Sequence, residues 1–126
     1  MGFMRNPQSG RVFDVKHPER DGSDCKLNNY NYNWLGERFY FEFEDSTWFR
    51  IRNPVNGYYL TAGAPHVTYL DKNSNYQWWR RDGGAIRNYG TNSCIDIAGG
   101  SRDAGARILM YRCHGGGNQK WDLVRY

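Results

Sequence analysis

Long apolar runs are missing from this chain of 126 residues. No stretch approaches the ~18 consecutive apolar residues that a membrane-crossing helix needs, so no membrane insertion is expected. The start, MGFMRNPQSGR, has no apolar segment of the secretory-signal kind, and secretion is expected only if the domain is excised from a longer precursor. Runs of Ala, Leu and Glu are scarce, which leaves little material for long helices. Lys and Arg outnumber Asp and Glu by 17 to 13, a net charge of +4, yet no basic run is longer than Arg80-Arg81. Such an excess permits attraction to acidic glycans or nucleic acid, but an ordinary mixed surface explains it as well, and no dedicated nucleic-acid groove is expected. Three cysteines allow one pair with one left over, or no pair in a reducing compartment. His17, His66 and His114 have no mutual spacing for metal ligation or a catalytic base. No Gly-rich phosphate loop, activated Ser or Cys/His pairing is visible. No metal, cofactor or enzymatic activity is therefore expected.

What is present is aromatic and turn-forming. Aromatics reach 17%, and there are 15 glycines. Short apolar bursts bounded by Gly, Asn and Asp predict an all-β chain with many turns, and its length suits one domain, residues 1–126.

The chain also repeats itself. An apolar residue followed by Arg-Asn occurs at Met4-Arg5-Asn6, Ile51-Arg52-Asn53 and Ile86-Arg87-Asn88. Read forward from these, Phe13, Leu60 and Ile95 fall in register, as do Asp14, Thr61 and Asp96. A Gln-x-Trp form recurs at Gln77–Trp79 and Gln119–Trp121, with Glu37-Arg38-Phe39 in the matching place of the first unit. These markers lie about 40 residues apart, which predicts three units, about 1–46, 47–83 and 84–126. The first and third align without a gap from Asn6 and Asn88 to Glu37 and Gln119, whereas the middle one is shorter between Ala62 and His66. Four short strands are predicted per unit, in the third near 85–88, 94–98, 107–112 and 119–124. One such unit cannot bury its apolar face alone, so three must share a core. Closure about a pseudo-threefold axis gives a β-trefoil, with Met4, Ile51, Ile86, Phe13, Leu60, Ile95, Phe39, Trp79 and Trp121 inside.

Three Gln-x-Trp-like units of this size resemble the ricin-type β-trefoil lectins over nearly the whole chain. The third unit carries the likeness most specifically, in CIDIAGGSRDAGARILMYRCHGGGNQKW. The resemblance implies a sugar-binding domain, commonly for galactose or N-acetylgalactosamine, with up to one shallow site per unit. It also implies a disulfide between Cys94 and Cys113, leaving Cys25 as a free thiol.

The residue chemistry fits a sugar. A carboxylate accepts hydrogen bonds from two neighbouring hydroxyls, an aromatic ring covers the C–H face, and amides supply oriented donors and acceptors. In the third unit these are Asp96, Tyr111, Asn118 and Gln119, with His114 in the glycine-rich tip at 114–117. Leu109 stands where some family sites carry a Gln. Gln119 suits either a ligand contact or a buried structural role. Unit one offers a second candidate: Asp14, with Asn29 in the platform position, Tyr30 or Tyr32 nearby, Gly36 in place of the amide, and Glu37. Unit two has Tyr69 and Gln77, but Thr61 replaces the carboxylate and Tyr76 the Asn, so it is expected to be structural. Glycosidase chemistry needs two acids across one cleft, and each unit is read as supplying one. The expected function is glycan recognition, and an oligomer is compatible with it. The alternatives are a β-trefoil used for protein contacts, or one binding anionic glycans or nucleic acid through its basic and aromatic loops.

Overall fold

Each Arg-Asn dipeptide ends a strand and opens a turn. The computed structural model describes residues 1–63 and 74–126 in full and, between them, only the backbone of residues 67–70; the predictions made at His66 and Tyr69 lie outside the described residues. The strands are β1 (Gly2–Arg5), β2 (Val12–Val15), β3 (Cys25–Asn28) and β4 (Tyr40–Phe43); β5 (Trp48–Arg52), β6 (Tyr59–Ala62), β7 (Val67–Leu70) and β8 (Trp79–Asp82); then β9 (Ala85–Asn88), β10 (Cys94–Ile97), β11 (Ile108–Tyr111) and β12 (Asp122–Arg125). The final strand begins later than the sequence suggested. Gly117–Gln119 is a 3-10 turn, as are Leu35–Glu37 and Asn75–Gln77, so each Gln-x-Trp marker or its equivalent is a turn leading into a strand.

The pairing closes a ring. Antiparallel ladders join β12 to β1, β4 to β5, β5 to β8 and β8 to β9. Two shorter contacts complete it: the reciprocal Gly2–Phe39 bonds, both 2.9 Å, and the bond from Trp121 N to Gly84 O, 3.0 Å. Gly2 is required at its crossing, because a Cβ there would lie 2.0 Å from the Val124 carbonyl oxygen. The hairpins β2–β3, β6–β7 and β10–β11 pack beside this ring. This is a β-trefoil, in which closure hides the strand edges an open sheet would expose.

The nine repeated apolar residues predicted to face inward are all essentially inaccessible. Phe13 meets both Phe39 and Trp121 edge-on, with ring centroids 5.8 Å apart in each pair. Alternation along β1, β3 and β5 turns every second side chain inward. By contrast, β2 and β10 are buried on both faces. That places Asp14 and Asp96 inside the protein, where each needs partners.

The three asparagines explain the repeated dipeptide. Asn6, Asn53 and Asn88 are buried, and each accepts at its backbone oxygen from the residue four later: Gly10, Gly57 and Asn92. Those three residues share a positive φ of 73°, 76° and 54°, a conformation that Gly and Asn tolerate best. The side-chain amides then reach across to a neighbouring unit. Asn6 donates to the Gly117 and Lys120 carbonyls at 2.9 and 2.8 Å, and Asn88 to those of Tyr76 and Trp78 at 2.9 and 3.3 Å. Asn53 also reaches a neighbouring unit, but it donates to the Pro18 carbonyl instead of to the 3-10 turn.

Candidate functional site

In the third unit the β10–β11 register sets Asp96 opposite Leu109. Asp96 is 4% exposed, and its oxygens are supplied from the 3-10 turn. Asn118 Nδ2 donates to Oδ1 at 3.2 Å and to the Ile97 carbonyl at 3.1 Å; Gln119 Nε2 donates to Oδ2 and to the Arg112 carbonyl, both at 2.8 Å. Gln119 Oε1 accepts the His114 N–H at 2.9 Å. All of its polar atoms are therefore engaged by protein, it is fully buried, and it does not line the pocket. Gln119 holds Asp96 from below.

His114 Nδ1 accepts the Gly116 N–H at 3.0 Å, so in the neutral ring the hydrogen stands on Nε2, 3.4 Å from Asp96 Oδ2. Burial pushes the Asp96 carboxyl up, and Gln119, His114 and Asn118 pull it back. Oδ1 accepts from Asn118 alone and keeps a second lone-pair direction for a ligand hydroxyl. Above this floor Tyr111 is 48% exposed, with its ring centroid 6.0 Å from that of His114. Asp96, Ala98, Leu109, Tyr111, His114 and Asn118 thus border a pocket of about 370 Å³, whose remaining wall is Gly99-Gly100. The Cys94–Cys113 disulfide ties β10 to the loop carrying His114, with its Cα atoms 5.1 Å apart. Cys25 is buried, paired in register with Val15 at the place Ile108 takes opposite Ile97.

The first unit builds a related pocket, about 210 Å³, lined by Asp14, Lys16, Lys26, Asn28, Asn31, Trp34 and Glu37. Asp14 and Glu37 come together as expected, but Asn29 and Tyr30 do not join them. The register pairs Val12 with Asn28, as Cys94 pairs with Tyr111, so Asn28 and not Asn29 stands in the platform position. The ungapped alignment slips there by one residue. Asn29 accepts from Arg11 Nε at 3.0 Å. Tyr30 packs on Phe3, with centroids 4.5 Å apart, and meets the Tyr126 hydroxyl at 3.1 Å; Tyr32 packs against the Tyr126 ring.

Asp14 is held by different groups from Asp96. Trp34 Nε1 donates to its Oδ1 at 2.7 Å and Asn28 Nδ2 to its Oδ2 at 2.8 Å. Glu37 Oε1 accepts the Asn31 N–H at 2.6 Å, while its buried Oε2 meets no donor among the described residues. Burial raises the Glu37 carboxyl to about 8; the Asn31 N–H works against this, and the neighbouring Asp14 carboxylate adds to it. A carboxyl raised to about 8 keeps its proton at neutral pH, so Glu37 stands neutral where the third unit has the Gln119 amide. The expectation of one acid per unit is therefore corrected for unit one, where two line the same pocket.

In unit two Thr61 is buried and donates to the Tyr59 carbonyl at 2.9 Å, and Gln77 is buried. A separate cleft of about 520 Å³ lies between Glu44, Trp48, Arg50, Asn75, Trp78 and Tyr89, which no repeat motif announced.

The family model for the ricin-type beta-trefoil lectin domain matches residues 1–121. The chain belongs to that family. Among curated proteins, this ricin-type domain is 50% identical over 42 residues to human polypeptide N-acetylgalactosaminyltransferase 6, covering 32% of the chain and 7% of that enzyme. It is 48% identical over 68 residues to the mouse enzyme of the same name, covering 53% and 10%. The domain thus spans a tenth or less of these curated relatives. Among solved structures, the designed 3-fold symmetric protein ThreeFoil superposes with a TM-score of 0.88 at 21% identity, covering 99% of this chain and 98% of that one. The C-half of the earthworm R-type lectin, solved with GalNAc, gives 0.80 at 20%, covering 97% and 95%. These likenesses fix the fold of the ricin-type domain.

Proposed function

We propose that this lectin domain recognises terminal galactose or N-acetylgalactosamine, mainly through the third repeat. The observation that carries the reading is the Asp96 carboxylate, buried and triply supported yet bordering a pocket beside the exposed Tyr111 ring. Such a site offers one hydrogen-bonding edge and one apolar face. Galactose separates those features well, because its axial O4 leaves one face richer in C–H groups. Asp96, Asn118 and the His114 Nε2–H would meet hydroxyls, Tyr111 and Leu109 the C–H face, and Gln119 would position Asp96. The GalNAc held by the earthworm lectin, and the transferase relatives, support the same sugar class.

In this reading the chain is one domain of three repeats, 1–46, 47–83 and 84–126. It binds without metal and catalyses nothing. Asp14 and Glu37 line one small pocket side by side, and Asp14 is held by Trp34 and Asn28, so they do not form two independent acids across a cleft. A shallow pocket of this kind suits a monosaccharide Kd of about 1 mM, and useful avidity then requires a second site, an oligomer or an extended glycan. Calorimetry with galactose, N-acetylgalactosamine, glucose and mannose, with and without chelator, tests the proposal. Preference for glucose or mannose, or loss of binding in chelator, would overturn it.

A further inference from the structure

The two carboxylate-floored pockets differ in the sign of their walls. In the third unit Asp96 faces Leu109 across the hairpin, and Ala98 lies two residues beyond. In the first unit the same two places hold Lys26, opposite Asp14, and Lys16. Two apolar contacts have become two ammonium groups bordering one small cavity. Among the described residues, no ion pair involves either lysine. The carboxylate paired in register with Lys26 already has two donors, since Asp14 accepts from Trp34 and Asn28. On its far side Lys26 also borders a neighbouring pocket, where Asp24 and Arg107 bring one charge of each sign. With Glu37 protonated, the first pocket carries Asp14 against two lysines, net positive. The third carries Asp96 with no lysine or arginine in its lining.

The remaining lining still suits a sugar. Trp34 is 37% exposed and its ring borders the cavity, while Asn28, Asn31 and the free lone pairs of Asp14 can meet hydroxyls. We propose that the first-repeat pocket binds an anionic saccharide, with Lys16 and Lys26 taking its sulfate or carboxylate and Trp34 its C–H face. This rests on the lectin reading and gives the second pocket a ligand class of its own. The third pocket, lacking both cations, would take the neutral sugar.

The test is a titration of ¹⁵N-labelled protein with galactose, galactose 6-sulfate, galacturonic acid and inorganic sulfate, followed at the Trp34 indole N–H and at the Tyr111 and His114 amides. A sulfated or carboxylated sugar is expected to shift the Trp34 signal at least tenfold more tightly than galactose, and the two acidic sugars show which anion is preferred. The effect should weaken with added salt, disappear in Lys16→Gln/Lys26→Gln and persist in Tyr111→Ala. Both lysines reach solvent, and the double variant should keep galactose binding in the third repeat, which controls for its folding. Equal affinity for galactose and the acidic sugars at Trp34, or an unchanged double variant, would overturn the proposal. So would inorganic sulfate matching the sugars, since that describes an anion contact alone. If galactose moves Tyr111 but no acidic sugar moves Trp34, this inference fails while the lectin reading stands. Silence at both places rejects both.

Discussion

Trp34 Nε1 stands 2.7 Å from Asp14 Oδ1, filling the role that the Asn118 amide fills at 3.2 Å for Asp96. Gly36, in the sequence place of that amide, allows it: a Cβ there would lie 2.3 Å from the Val15 carbonyl oxygen and 2.5 Å from Trp34 Nε1. The missing amide and the indole that replaces it are one change. Trp34→Phe should leave a buried carboxylate short of a donor and cost roughly 1–3 kcal/mol. Gly36→Ala should cost at least as much by driving the indole away. Urea titration of both variants checks this; an unaltered midpoint for either would show that the bond contributes nothing.

Glu37 makes stability depend on pH. Its carboxyl sits at about 8 in the folded protein, against an ordinary 4.5, so folding takes up a proton between those values. The contribution is complete below about 4.5 and is lost as pH rises through about 8. In Glu37→Gln a neutral amide takes the place of the carboxyl, as Gln119 stands in the third unit, and does not titrate. Thermal melts of parent and variant from pH 5 to 9 should diverge, with the parent falling by an amount on the order of 1–3 kcal/mol relative to the variant. Parallel curves would place the proton elsewhere.

For the third pocket, Tyr111→Ala removes an exposed ring and should leave stability within about 0.5 kcal/mol, while galactose affinity falls by roughly tenfold. Asp96→Asn should lose most affinity by removing the charge that strengthens hydroxyl bonds, whereas Thr61→Ser in the second unit should change nothing. Isothermal titration distinguishes these. A Tyr111→Ala protein that binds like the parent would remove the aromatic platform from the site.

The cysteines should separate by chemistry. The Cys94–Cys113 bridge spans 19 residues of sequence, and replacing both by Ala should cost about 3 kcal/mol through the unfolded chain's regained freedom. Cys25 is buried and its thiol is raised by desolvation, then by Asp24 and Asp14. It should resist alkylation until denaturant is added and then take up one label without reductant. Rapid labelling of native protein would contradict its burial.

The parts of the fold that were legible in the sequence are those written in hydrophobic register. Met4, Phe13, Phe39 and their counterparts recur because three units must fill one core, and period and polarity alone reveal that. Asp14 and Asp96 were legible too, since a carboxylate within an apolar strand demands partners. Side chains that act through a detour were not. Trp34 reaches Asp14 by folding back over Gly36, and a linear alignment shows only a lost amide. Lys26 and Leu109 face the same kind of pocket, but the one-residue slip in the first hairpin hid their equivalence. The Glu37 proton depends on burial, which the letters do not state. The cleft beside Trp48, Trp78 and Tyr89 is assembled from separate strands and has no repeating signature.

One consequence lies in how the ring is stitched shut. Tyr126 N donates to the Met1 carbonyl at 3.0 Å, and β1 and β12 pair along their whole length. The two ends of the chain therefore stand side by side, and the point at which the ring is cut is arbitrary as far as packing is concerned. A circular permutant that joins residue 126 to residue 1 through a short Gly-Ser bridge and opens between Phe43 and Trp48 keeps every ladder except the local β4–β5 turn. It should fold to the same near- and far-ultraviolet circular dichroism. Because β1 and β12 become neighbours in sequence while β4 and β5 become distant, its folding rate should report which of these two seams closes first.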